Sequence, residues 1–459
     1  MPEIFGEFGI ATDVYSWLIV LMLVVLWVAS LLICTSIRAK GWVAVPTSLF
    51  GLAWLGFGLN MLLRFLILSW DSVLFGNGTF RLADLPIDII NKSVILLCLF
   101  WLVFSVVFFL VTRMTIPSPI SVLGAVTPKL AFRVAPFTTA ATCACIYLSY
   151  RDGVPSEFVT PLALVGAMWV IPAALIWWHY FRKDRLSGGL FRGGRYLLIV
   201  LAPGLLQVWL NPYRESLMTI FLVPFSAALF ANRRPRLSIV IATCVVILTI
   251  STIFINSYRQ VLWMGDTRSD LVFQMSDWKE NPLGAPLAEP LRRFHALDSF
   301  LLTLNLVPAT FSYSGEELFI NSFIRGIVPR LFYAGKEAGD KAVRFGQGIW
   351  SFEDKNVRGD AAISPSMPGD LYGAGGIEYI FFGAIIWGML LGVMESWKRQ
   401  LPPYSQSAIV VLFGLLSAAS IERDFGHTIS TAIQILVVII VILSLIQIQR
   451  SHMETSVPE

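Results

Sequence analysis

The sequence predicts an all-α polytopic membrane protein, both from its composition and from the repetition of long apolar runs. Of its 459 residues, 56% are hydrophobic and only 14% are charged, and the mean hydropathy is +0.72. A soluble globular domain has about 25% charged residues, so this composition excludes an ordinary soluble enzyme. A bilayer gives the backbone no water to bond with, and long apolar runs must therefore fold as helices.

We predict eleven transmembrane helices. A helix needs about 20 apolar residues to cross the hydrocarbon core. The runs near that length are 16–35, 44–68, 93–112, 131–150, 159–180, 196–211, 215–232, 237–257, 373–396, 406–421 and 428–448. Only the short sequence NPYRES separates the sixth run from the seventh, and Pro203 and Gly204 interrupt the sixth. Short loops join the helices except between the eighth and the ninth, where the connection is long.

The distribution of Lys and Arg over the short loops predicts the orientation. These residues stay on the cytoplasmic side, whereas long translocated loops do not follow the rule. One side of the bundle carries most of them, including Arg38, Lys40, Arg113, Arg182, Lys183, Arg185, Arg192, Arg195, Arg233, Arg234 and Arg236. The N-terminus is therefore predicted outside and the C-terminus inside. The net charge of +4 comes from these loops, so it indicates orientation and no nucleic-acid partner.

The chain divides into three predicted parts. Residues 1–257 form a membrane domain with the first eight spans, and 373–459 hold the last three spans and a cytoplasmic tail. Between them, 258–372 form a long outer loop, which at this length is usually functional. Its sequence EPLRRFHALDSFLLTLNLVP predicts a helix that ends at Pro308, and ELFINSFIRGIVPRLF predicts a second. We expect these amphipathic helices to lie on the membrane surface or to cap the bundle as a lid.

Cofactor chemistry is not expected. The chain has no Walker A loop, no GxGxxG after a strand, and no HExxH, CxxC or GxSxG motif. All five cysteines fall in predicted spans, where thiols are usually packing residues, so we predict neither a disulfide nor a metal site.

Basic residues that come from four separate segments are predicted on the outer face. They are Arg214 in NPYRES, Arg259 in NSYRQ, Arg325, Arg330 and Lys336 in NSFIRGIVPRLFYAGK, and Arg423 in IERDFGH. A guanidinium group offers a flat fork of donors that fits phosphate oxygens in pairs. Each residue alone is equally well explained by contact with lipid phosphate or by a carboxylate partner. Their convergence predicts a polyanion site for a lipid-linked phosphate or diphosphate.

Two histidines and two acids are the candidates for a general base on the same face. His295 lies on the predicted loop helix and His427 lies beside Glu422 and Asp424. Each has a structural alternative, since His295 could pair with Asp298 and His427 could simply begin a helix.

The acids are Asp370, which precedes a glycine cluster, and Glu378, which lies in the outer end of a predicted span. Asp370 could form a turn after Pro368, and Glu378 could pair with an arginine.

Several of these segments resemble the Wzy-type O-antigen or oligosaccharide repeat-unit polymerases, which are related in architecture to the O-antigen ligases. NPYRESLMT is similar to the family's arginine-bearing turn between two central spans, and NSYRQ to the arginine before its large periplasmic loop. IRGIVPRLFYAGK, PSMPGDLYGAGGIEYIFFG and IERDF resemble the loop's arginine stretch, its return to the membrane and the last turn. The resemblance covers residues 195 to 445. Either Asp370 or Glu378 fits the family's acid, because two stretches match its register.

The resemblance implies an inverting, metal-independent glycosyltransferase of the bacterial inner membrane. Such an enzyme would make the polysaccharide part of lipopolysaccharide. The enzyme would transfer a glycan from undecaprenyl diphosphate to the non-reducing end of another lipid-linked unit. Arg214, Arg259 and Arg330 would neutralise the departing diphosphate, and His295 or an acid would accept the proton of the attacking hydroxyl. The implied partners are the lipid-linked donor and acceptor, membrane lipid, a chain-length regulator and a flippase.

Three alternatives remain open. A ligase would use the same donor but a different acceptor. A non-enzymatic flippase or transporter would place its cations in a central cavity, whereas here they lie on the outer face. A metal-using transferase would be built around Asp84 and Asp88 in the first outer loop, where such enzymes often have paired acids.

Overall fold

The computed structural model of the protein describes residues 14–38, 45–68, 85–151, 153–182, 197, 199–210, 214–233, 296–313 and 364–455. These residues form helices and turns and contain no strand. The α-helices are α1 (Val14–Arg38), α2 (Leu49–Phe57), α3 (Leu63–Leu68), α4 (Ile87–Arg113), α5 (Pro128–Ser149), α6 (Ser156–Ala167), α7 (Val170–Arg182), α8 (Ala202–Leu210), α9 (Arg214–Phe230), α10 (Ala296–Leu306), α11 (Met367–Gly375), α12 (Ile377–Arg399), α13 (Pro403–Ala419) and α14 (Phe425–Thr455). A π-helical turn at Gly58–Leu62 joins α2 to α3, and Ser121–Ala125 form a 3₁₀ helix.

The all-α prediction is confirmed, and the protein is a helical membrane protein. Four helices in the described part of the chain are long and apolar enough to cross a bilayer: Ile87–Arg113, Pro128–Ser149, Phe158–Arg182 and Ile377–Arg399. Shorter apolar helices coincide with other predicted spans, and the predicted span 237–257 lies outside the described residues. The total of eleven spans and the orientation therefore remain predictions.

The starts of several helices follow from short-range chemistry. Ser48 caps α2, because its side chain accepts a hydrogen bond from the Gly51 N–H at 2.8 Å. Thr127 caps α5 in the same way and is followed by Pro128, a residue that suits the first helical position. In α4, Asp88 lies in the first turn and Arg113 in the last, which complements the helix dipole at both ends.

Helices α4 and α12 pack side by side through two glycines on α12. A Cβ at Gly388 would lie 2.8 Å from the backbone oxygen of Phe104, and a Cβ at Gly392 would lie 2.9 Å from the Cβ of Val111. Small residues four apart let helix backbones approach closely, which is how helices associate where lipid removes the hydrophobic driving force. Since both residue numbers increase together along the contact, the two helices run in parallel.

Alanine at Gly388 is expected to lower the free energy of unfolding by about 1–3 kcal/mol, because overpacking forces the two helices apart. Gly373→Ala is the matched control, since its Cβ would meet the Thr303 side chain at an ordinary 3.4 Å. Both substitutions also replace a helical glycine by a better helix former. Chemical unfolding in detergent compares the two variants, and equal stabilities would contradict this account of the α4–α12 contact.

Hydrogen bonds between helix ends define two opposite ends of the bundle. One end, the Glu395 end, holds the close of α12 and the start of α2, where the Leu49 N–H donates to Glu395 Oε2 at 3.1 Å. Helix α4 ends there, since Ser396 Oγ donates to the Met114 carbonyl at 2.9 Å. Helix α9 also ends there, beside the start of α13. We call the opposite end, where α3 ends and α4, α9 and α12 begin, the Arg64 end.

A buried ion pair closes the Glu395 end. The Lys398 ammonium donates to Glu395 at 2.9 Å and to the Thr47 carbonyl at 2.6 Å, and both charged side chains are buried. Glu395 also accepts a hydrogen bond from the first amide of α2, so the ion pair joins the end of α12 to the start of α2.

The loop segment 258–372 contributes a helix that lies inside the bundle. Helix α10 has the predicted location, but almost all its residues are buried, and it packs against α11, α4 and the π-helical turn. Residues 296–306 therefore do not lie exposed on the membrane surface, which was one of the two expected positions, and the lid alternative stays a prediction. The second predicted loop helix lies outside the described residues, and the division of the chain into three parts stays a prediction.

Candidate functional site at the Arg64 end

The described site residues gather at the Arg64 end. Residue 214 begins α9 there, Asp370 and Glu378 lie in the first turns of α11 and α12, and Arg423 and His427 flank the start of α14. The other predicted residues lie outside the described part of the chain: Arg259, His295, Arg325, Arg330 and Lys336. Their predicted roles therefore stay predictions.

Asp370 connects two segments that are distant in sequence. Its side chain is buried, and Oδ2 accepts a hydrogen bond from the Phe425 N–H at 3.0 Å. Three residues earlier, the Met367 N–H donates to the Ile421 carbonyl at 3.0 Å. Helix α11 is thus bonded directly to the turn at 420–424 that carries Arg423.

Asp370 and Asp424 share the start of α14. Asp424 Oδ1 accepts a hydrogen bond from the His427 N–H at 2.7 Å and so caps the helix. Asp370 accepts from the Phe425 N–H, two residues earlier in the chain. Carboxylates are favourable at a helix N-terminus, where amide donors are otherwise unpaired. His427 is accordingly a residue of the first helical turn, and its side chain is exposed.

Asp370→Ala is expected to lower the free energy of unfolding by about 1 kcal/mol, the usual cost of losing a capping carboxylate. Asp370→Asn should cost less, because the amide oxygen still accepts the bond from Phe425. Urea unfolding of the purified protein in detergent measures both. An Ala variant as stable as the wild type would show that the capping bond contributes nothing.

Glu378 has a different environment from Asp370. It lies in the first turn of α12, its side chain is exposed, and it has no ion-pair partner among the residues that the structure describes. The residue at the α11–α12 junction is Gly376, with φ of +79° and ψ of −148°, a conformation that only glycine adopts readily. This junction sets the direction in which α12 begins.

A buried ion pair at this end was not foreseen from the sequence. Arg64 Nε donates to Asp298 Oδ1 at 3.0 Å, and Nη2 donates to Oδ2 at 2.8 Å. Both side chains are only 6% exposed. The two parallel bonds match the flat guanidinium to the carboxylate and fix α10 against α3. The sequence made Asp298 a possible partner of His295, and its described partner is Arg64.

A second unforeseen cluster joins α4, α11 and the residues after α10. The half-buried Lys92 donates from Nζ to the Tyr372 hydroxyl at 2.6 Å and lies 4.8 Å from the centre of that ring. Tyr372 is 2% exposed, and its ring meets that of Tyr313 edge-on at 6.0 Å. A hydrogen bond with Tyr372, together with burial, raises the pKa of the Tyr313 phenol, and the nearby Lys92 opposes the rise.

A signal for both clusters is present in the sequence. Arg64 falls within the predicted span 44–68 and Lys92 directly precedes the span 93–112. An ionisable residue at membrane depth needs a partner or a function, so each position marks a candidate. The identity of the partner required the structure, since Arg64 and Asp298 are 234 positions apart.

Comparison with known proteins gives a family and no function. No curated protein and no solved structure matches the chain significantly. One family model, described as a domain of unknown function (DUF8712), matches residues 195–451. This match covers more than half of the chain, including α9, the three last helices and the turn at 420–424. The protein therefore belongs to the DUF8712 family.

Proposed function

We propose that the protein is an inverting, metal-independent glycosyltransferase that polymerises undecaprenyl-diphosphate-linked oligosaccharide units at the periplasmic face of the inner membrane. The observation that carries the proposal is that segments distant in sequence lie at the Arg64 end and that two of them are hydrogen-bonded to each other. Helix α11 is bonded to the turn at 420–424 through Asp370 and Met367, and α9 begins at the same end. These are segments that resemble the polymerases.

The proposed topology has eleven spans, with the N-terminus outside and the C-terminus inside. Its support is the charge at the Glu395 end, where Arg113, Arg182, Lys398 and Arg399 occupy the last turns of α4, α7 and α12. Lys and Arg next to spans favour the cytoplasmic side. The Arg64 end then faces the periplasm, where the lipid-linked substrates are presented.

In the proposed reaction, an acceptor hydroxyl of one lipid-linked unit attacks the anomeric carbon of another. The bond from that carbon to the diphosphate oxygen breaks, and undecaprenyl diphosphate leaves with its electron pair. A single displacement inverts the anomeric configuration. Negative charge develops on the diphosphate, and fixed cations placed there stabilise the transition state more than the ground state. Arg214, Arg259 and Arg330 take this role, with Arg325, Lys336 and Arg423 as further contributors.

A base must accept the proton of the acceptor hydroxyl. Asp370 is buried and accepts an amide hydrogen bond, so we assign it to the support of α14. Glu378 and His427 are exposed at the same end, and His295 lies outside the described residues. Because a base must reach the hydroxyl directly or through one water, we favour Glu378 over Asp370 as the acid of this site.

The proposal is tested by incubating the purified protein with its lipid-diphosphate-linked repeat unit in EDTA. A ladder of longer lipid-linked glycans is the expected product. Transfer to a different acceptor would instead identify a ligase. Activity that returns only when a divalent metal is added back would favour the metal-using alternative at Asp84 and Asp88. Transbilayer movement of the substrate with no new glycosidic bond would identify a flippase.

A further inference from the structure

Arg64, Lys92 and Lys398 have side chains that are at least partly buried in the described bundle, and their electrostatic surroundings differ. Arg64 is neutralised by Asp298 and Lys398 by Glu395, each through charged hydrogen bonds shorter than about 3 Å. Lys92 is half-buried and has no carboxylate partner among the described residues. Asp88, one turn earlier on α4, is exposed and forms no ion pair with it. A partly desolvated ammonium without a counter-ion is costly, unless an anion completes the site.

The groups described around Lys92 are neutral phenols rather than carboxylates. An ammonium group has three N–H donors, and the Tyr372 hydroxyl takes one of them at 2.6 Å. The Tyr313 ring lies edge-on to the Tyr372 ring with 6.0 Å between the ring centres, so the two phenols are neighbours. Tyr313 is 40% exposed, whereas Tyr372 is buried. The cluster thus runs from the interior of the bundle to an accessible phenol.

The backbone at Gly376 lies directly beside this cluster. Tyr313 lies against Gly376, where a Cβ would lie 3.3 Å from the Tyr313 hydroxyl oxygen. The positive φ of Gly376 turns the chain into α12 directly beside the cluster. The same turn brings Glu378, an exposed candidate for the base, to within two residues of this point.

We infer that Lys92, with the phenols of Tyr372 and Tyr313, forms a binding site for phosphoryl oxygens, which in the proposed function belong to the diphosphate of a lipid-linked substrate. The ammonium supplies the charge and its remaining N–H donors, Tyr372 positions it through their hydrogen bond, and Tyr313 lines the accessible edge. An ammonium with unused N–H donors is suited to an anion with several oxygens. Ordinary anionic lipid has the same phosphoryl chemistry, so the test compares both sources. The identification of the ligand as diphosphate depends on the proposed function, whereas the phosphoryl site does not.

The test measures binding to the full-length protein in nanodiscs of zwitterionic lipid. The probes are inorganic pyrophosphate, undecaprenyl diphosphate and phosphatidylglycerol. Lys92→Gln is expected to weaken binding of the diphosphates about tenfold to hundredfold, the range for losing one charged hydrogen bond. Lys92→Arg should restore most of the affinity. Lys129→Gln is the matched control, since it removes the same charge from an exposed position at the start of α5.

The outcomes separate this site from the proposed reaction. Tighter binding of undecaprenyl diphosphate than of phosphatidylglycerol would identify a diphosphate site, and equal binding would identify a general phosphoryl site. Unchanged affinity in a folded Lys92→Gln variant, or no binding by the wild type, would overturn the inference. If Lys92→Gln loses binding and the wild type produces no elongated glycan, the inferred binding site stands and the polymerase proposal fails. If the wild type polymerises and Lys92→Gln binds the probes normally, only the inferred binding site is contradicted.

Discussion

Replacing Arg214 or Arg330 by alanine is expected to abolish formation of longer lipid-linked glycan while the protein still inserts in the membrane. Both residues are proposed to neutralise the diphosphate as its bond to the anomeric carbon breaks. Removing one such donor typically costs about 100-fold to 1,000-fold in rate. The measurement is the initial rate of ladder formation by purified variants at saturating lipid-linked substrate.

Arg113→Ala is the matched control for these two variants. Arg113 is an exposed arginine in the last turn of α4, at the Glu395 end and far from the proposed site. It should retain the wild-type rate. Wild-type rates in both Arg214→Ala and Arg330→Ala would remove their assigned roles. Equal losses in all three variants would mean that the assay reports general charge rather than a site.

Replacing Arg64 by alanine is expected to lower the free energy of unfolding by about 3–5 kcal/mol, the usual effect of leaving one charge of a buried pair without its partner. The buried Asp298 carboxylate would lose its described partner on a helix whose other faces are also packed. Helix α10 would then lose its attachment to α3. Unfolding in detergent by a chemical denaturant, followed by helical circular dichroism, measures the change.

A double replacement separates the ion pair from general packing. Arg64→Met with Asp298→Leu substitutes apolar side chains for both charges, a change that is often neutral or stabilising for buried pairs. The double variant should therefore recover most of the stability lost in Arg64→Ala. A double variant as unstable as the single one would show that the shape of the site, rather than the unpaired charge, determines stability. An Arg64→Ala variant with wild-type stability would contradict the account of α10.

The fold class could be predicted from the sequence because the bilayer restricts which secondary structures can span it. Long apolar runs in a membrane can only be helices, so described helices occur at the predicted spans. Capping residues such as Ser48 and Thr127 are local and were readable in principle. The close contact at Gly388 and Gly392 was also readable from the spacing in GMLLG, since small residues four apart mark helix contacts.

Pairing across the bundle could not be derived from the sequence. Asp298 could have been paired with a neighbour on its own helix face, whereas its partner Arg64 is on a helix from the first quarter of the chain. The burial of α10 follows from that pairing and from its contacts with α11. Neither produces a periodic pattern of apolar residues in the sequence. Asp370 shows the same limit, because an acid before a glycine cluster is compatible with a base, and only the Phe425 amide reveals its bond to α14.

The central claim is tested most directly by accounting for the products of one turnover. Purified protein, EDTA and a lipid-linked repeat unit of known anomeric configuration are incubated, and products are identified by mass spectrometry and nuclear magnetic resonance. We expect one free undecaprenyl diphosphate for each new glycosidic bond, a two-unit glycan still on its lipid, and inversion at the donor's anomeric carbon. A retained configuration, or no new bond at all with folded protein and intact substrate, would contradict the proposal.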